Sequence, residues 1–134
     1  MKVEFRWHGD QWKKIMDRIG STVEYAMGLH IEGIAKDYAP RDTGRLVGSI
    51  TTAGRHQSSR VRSPADSGDA VQGTQDETVV GTNVEYATFV EYGTSRMDPQ
   101  AFLRPAIDTF KGEALEIARV NGRSEFAKYA RRPN

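Results

Sequence analysis

Asp42-Thr43-Gly44 is a combination with the letters to do chemistry. The triplet matches the loop of aspartic proteases, in which two chains of a dimer each supply one aspartate and share a proton between the carboxylates. That arrangement needs the aspartate at the end of a buried apolar strand. Here it follows a long amphipathic stretch and Tyr38-Ala39-Pro40-Arg41, so a turn or cap fits better. Glu85 and Glu91 are candidates for a general acid–base pair, but six residues apart on a helix they point away from each other. Capping, pairing with arginine, or interface contacts suit them better, beside tyrosines as they are. His8, His30 and His56 fall in a strand end, a helix and a polar loop, without the paired spacing that metal ligands on one helix face require. His30 borders Met27, Ile31 and Ile34 and reads as a partly buried side chain making one hydrogen bond. Gly81 and Gly93 have neither a Walker lysine nor a Rossmann glycine triplet at the required spacing, so turn geometry accounts for them.

Arg55, Arg60 and Arg62, with His56, form a local basic stretch suited to a phosphate backbone or an acidic surface. Asp66, Asp69, Asp76 and Glu77 follow closely, which favours a solvated loop. Bulk charge adds no argument for nucleic acid, since 19 basic residues meet 18 acidic ones for a net charge of +1. The absence of cysteine removes disulfide scaffolds, thiolate metal sites and cysteine nucleophiles together, and is compatible with a reducing cytosol. No apolar run approaches the roughly 20 residues of a membrane span, and Met1 to Trp7 lacks the apolar centre of a signal peptide, so the expectation is a chain that is not exported.

The elements that would position these residues are written in the periodicity. Val3, Phe5 and Trp7 alternate with Lys2, Glu4 and Arg6 as in a half-buried strand. Asp10 can cap a helix whose apolar face carries Trp12, Ile15, Ile19, Val23, Met27, Ile31 and Ile34, over about residues 10–38 and roughly 40 Å, with a kink expected near Gly20 or Gly28. Pro40 ends it, and Asp42 and Gly44 make a turn. Leu46 to Thr52 reads as a strand, antiparallel to a second at Thr78 to Thr82. Large apolar residues nearly vanish over 54–76, which predicts a long mobile loop. Val84 to Tyr92 fits a short helix, with a strand as its rival. Pro105 then opens a second long helix ending at Asn121-Gly122, before a polar tail over 123–134 in which Phe126 and Tyr129 could dock as a further turn. The expectation is one α+β domain over 1–122, with an N-terminal and a C-terminal helix packed on a small antiparallel sheet bearing a long hairpin loop.

Five ordered blocks carry a resemblance: Ala39-Pro40-Arg41-Asp42-Thr43-Gly44-Arg45-Leu46, Gly48-Ser49-Ile50, Val80-Gly81-Thr82-Asn83-Val84-Glu85-Tyr86-Ala87, Val90-Glu91-Tyr92-Gly93-Thr94 and Phe102-Leu103-Arg104-Pro105-Ala106. In order and spacing they resemble a neck or tail-component family of long-tailed phages, the Hong Kong ninety-seven-type, gene-product-ten-like group. Its genes lie among head-tail joining and tail-completion genes, and its members include prophage proteins. The resemblance runs from about Ile15 to Ile117, with two departures: Thr88-Phe89 stands where the family often has proline and an aromatic, and the 54–76 loop is long.

The resemblance implies a non-enzymatic virion protein, made in the host bacterial cytoplasm and without cofactor, metal or small-molecule substrate. It implies assembly with itself as a ring, a hexamer or dodecamer, between head connector or head-completion proteins and the tail terminator or tail tube, close to packaged DNA and away from membranes. Tyr86, Phe89, Tyr92, Phe102 and Arg104 are the candidate interface or packing anchors, because aromatics and arginine carry most interface energy once desolvated. Asp42, Gly44, Gly81 and Gly93 are the candidate turn residues. The alternative is a nucleic-acid-binding module using the loop arginines and the basic tail.

Overall fold

The computed structural model describes residues 9–42, 44–54 and 77–131. Six elements follow in chain order: α1 (Gly9–Tyr38), α2 (Arg45–Ser49), β1 (Thr51–Ala53), β2 (Val79–Gly81), α3 (Ala87–Tyr92) and α4 (Leu103–Ala130). The architecture is α+β and mostly helical. The expected strand at Val3–Trp7 and nearly all of the expected 54–76 loop lie outside the described residues.

α1 spans 30 residues, about 45 Å of axis at 1.5 Å per residue, and continues as helix through Gly20, Gly28 and Gly33. Tertiary packing decides this, with α4 along one face of α1 and the two strands against another. Gly28 is where the helix meets the sheet: a Cβ there would stand 2.6 Å from Thr52 Cγ2 and 2.8 Å from Thr78 Cγ2. Its lack of a side chain therefore sets the closeness of approach. A second link is polar, since buried Thr52 donates through Oγ1 to Glu32 Oε2 at 2.8 Å.

The segment expected as a strand over Leu46 to Thr52 divides in two. Gly44 takes φ 73 and starts α2, which buries Leu46 and Ser49 three residues apart on one face, and only Thr51 to Ala53 is strand. Helical spacing of those two buried side chains, secured by Ser49 Oγ donating to the Leu46 carbonyl at 2.7 Å, overrides the strand preference of the local sequence. The strands pair antiparallel as expected, Thr51 with Gly81, Thr52 with Val80 and Ala53 with Val79. Gly81 is thus a ladder residue, not a turn.

α4 does not stop at Asn121-Gly122. Asn121 Nδ2 donates to the Ile117 carbonyl at 2.8 Å, and Gly122 packs near Val23 of α1, so the helix runs to Ala130 and the expected tail is largely helical. α1 and α4 run antiparallel, as the pairs Tyr38–Thr109, His30–Glu113 and Val23–Gly122 show. The main core lies at the C-terminal end of α1, where Ala35, Ala39, Leu46, Ile50, Val84, Ala87, Val90, Phe102 and Ala106 close around one another.

Candidate functional site

α3 is six residues long and positions the chain's most constrained polar group. Gly93 ends it at φ 76, where a Cβ would stand 2.8 Å from the Met97 carbonyl oxygen and 2.9 Å from Pro99, so only glycine fits. A tight turn follows, in which the Thr94 N–H donates to Met97 O at 2.8 Å, and the Gln100 N–H then returns to the Val90 carbonyl at 2.8 Å. This brings the start of α4 against the end of α3.

There the Glu91 carboxylate, 4% exposed, accepts from the backbone N–H groups of Phe102 (2.8 Å), Leu103 (3.0 Å) and Arg104 (3.0 Å). These first-turn amides have no partner within their own helix, and they carry the positive end of its dipole. Arg104 completes the clamp, donating through Nε to Glu91 Oε1 at 3.1 Å and through Nη2 to the Glu91 carbonyl at 2.9 Å. Burial pushes the Glu91 pKa up, but the three amides and the guanidinium outweigh it and hold the carboxyl below its ordinary value. The group is an anchor, with every acceptor direction directed at structure.

Beside this clamp is a cleft of about 720 Å³, bounded by Pro40, Asp42 and Arg45, by Leu46, Tyr86 and Val90, and by Met97 and Gln100. The Arg45 guanidinium stands 6.0 Å from the Tyr86 ring centroid. Blocks that are far apart in sequence thus converge on one concavity.

The candidate anchors divide. Phe102 is fully buried and Tyr86 packs partly buried on the core, which makes both packing residues. Phe89 and Tyr92, three residues apart on α3, are 56% and 63% exposed. Arg104 connects the two groups, since its guanidinium stands 4.8 Å from the Tyr92 ring centroid. Asp42 is exposed at the cleft rim, and Gly44 and Gly93 take positive φ. His30 lies at the α1–α4 seam, half-exposed, with Nε2 2.6 Å from Glu113 Oε2 and its ring 6.2 Å from Phe110. Arg55, His56, Arg60 and Arg62 lie outside the described residues.

Sequence reasoning missed the role of Gly28, read only as a helix-weakening position, and the Glu32–Thr52 link. Neither residue has a local signal, because both are explained by a sheet arriving from elsewhere in the chain. A glycine on an otherwise apolar helix face was the available hint.

No helix among the described residues is long and apolar enough to cross a membrane. Comparison with curated proteins and with solved structures gives no match. A family model does match, over residues 5–93, a span that holds the blocks from Ala39 to Gly93 and ends ahead of Phe102–Ala106. The match covers about two thirds of the sequence, and the chain belongs to the family described as "Bacteriophage HK97-gp10, putative tail-component".

Proposed function

We propose that this structural tail-component protein assembles as a homo-oligomeric ring of six or twelve copies at the head-tail interface, joining head connector to tail. Its work in this reading is binding, without catalysis or cofactor. The observation that carries it is the exposed aromatic pair Phe89 and Tyr92, held beside the cleft by a buried clamp. Large aromatics displayed on a rigid element are what an interface buries, and the Glu91–Arg104 clamp keeps them in place before any partner arrives. A closed ring needs one heterologous contact repeated around an axis, and a surface of this kind supplies one half of it.

The test is assembly of phage particles carrying Phe89→Asp with Tyr92→Asp. Both side chains face solvent, so thermal stability should stay within about 0.5 kcal/mol of the parent. Unjoined heads and tails should accumulate in electron micrographs. Normal yields of joined particles would contradict the proposal.

A further inference from the structure

The two ends of the molecule are built differently. At one end the helices meet the sheet, α2 and α3 around the core. At the other, the first half of α1 and the last turns of α4 pack on each other, and Ile19 is the one residue among residues 9–24 and 114–131 buried as part of the core. Met16, Val120 and Phe126 are 56%, 56% and 47% exposed there. Two helices alone leave apolar surface that a third layer would normally cover.

Charge distinguishes the ends as well. Residues 77–113 carry six acidic against three basic side chains, and residues 114–131 carry four basic against two acidic. The basic Arg123 and Arg131 flank exposed Phe126 in the last turns of α4, whereas Asp42 and Asp98 stand at and beside the cleft. The cleft has an apolar lining in Leu46, Tyr86, Val90 and Met97 and room for an inserted aromatic side chain.

We infer that the C-terminal turns of α4 in one copy dock in the cleft of the next, with Phe126 inserted beside Tyr86 and Met97 and with Arg123 and Arg131 facing Asp42 and Asp98. The inference rests on the ring reading and names the two halves of its repeated contact. From Leu103 to Phe126 the helix rises about 35 Å, so the tip cannot reach the cleft of its own chain, and the contact is heterologous. That is the geometry that propagates from copy to copy and closes.

The chain has no cysteine, so site-specific cross-linking tests this directly. Chains carrying Phe126→Cys and chains carrying Met97→Cys are mixed, assembled on tails, weighed by native mass spectrometry, and treated with a short bis-maleimide. The expected product is a pair containing one chain of each kind, absent when either variant is assembled alone. Rings of normal mass that give no mixed pair would overturn the docking and leave the ring reading standing. Self-linking of Phe126→Cys alone would overturn it in favour of symmetric pairing of the helix tips. Absence of any homo-oligomer before cross-linking would overturn the ring reading and the docking with it.

Discussion

Glu91 shows how a carboxylate beside tyrosines becomes structural and not catalytic. A catalytic acid or base needs a free lone pair or proton directed at substrate, whereas both Glu91 oxygens are committed to α4 amides and Arg104. Glu91→Gln keeps the size but replaces one oxygen with an amide that would face N–H donors. It should cost about 2–4 kcal/mol in chemical denaturation, with Arg104 losing its partner as well. The pH dependence has a defined sign. Because the folded carboxyl titrates below the unfolded value of about 4.3, its stabilisation is complete above that value and is lost as pH falls through the lower folded one. The parent chain should therefore lose stability below about pH 4.3 more steeply than Glu91→Gln does.

α1 is the element on which the fold is registered, and its glycines separate two roles that look alike in sequence. Gly28→Ala places a methyl against the stiff β-branched Thr52 and Thr78 and should destabilise by about 1–3 kcal/mol. Gly33→Ala meets open space and should stabilise by about 0.5–1 kcal/mol, the helix-propensity gain alone. Thermal melts of the two variants check the pair of signs. The same contrast explains what was legible beforehand. α1 was readable because its apolar stripe repeats over many turns, and α3 because Tyr86, Phe89 and Val90 share a face. The division of residues 45–53 into α2 and β1 was not, since seven residues hold too few repeats to separate the two periods until the core shows that Leu46 and Ser49 are buried together. The continuation of α4 past Gly122 was also hidden, because a glycine that ends a helix and a glycine that packs on a neighbouring helix are the same letter. In the site, Phe102 and Tyr86 were named as anchors on residue type alone, and only the fold assigns them inward while leaving Phe89 and Tyr92 to solvent.

At the scale of the whole molecule, one end is a closed core carrying a cleft and an aromatic display, and the other is a helix pair with its apolar face uncovered. Such a body is asymmetric end to end, as a subunit that repeats around an axis has to be. A ring also reconciles modest exposed area on each chain with a stable assembly, because every copy contributes two contacts and closure makes them mutually reinforcing. The central claim is that this tail component works as a closed ring of identical copies, and native mass spectrometry of head-tail joining complexes purified from virions tests it most directly. The account predicts a complex containing six or twelve copies of the chain; its absence from virions, or its presence as a single copy, would contradict it.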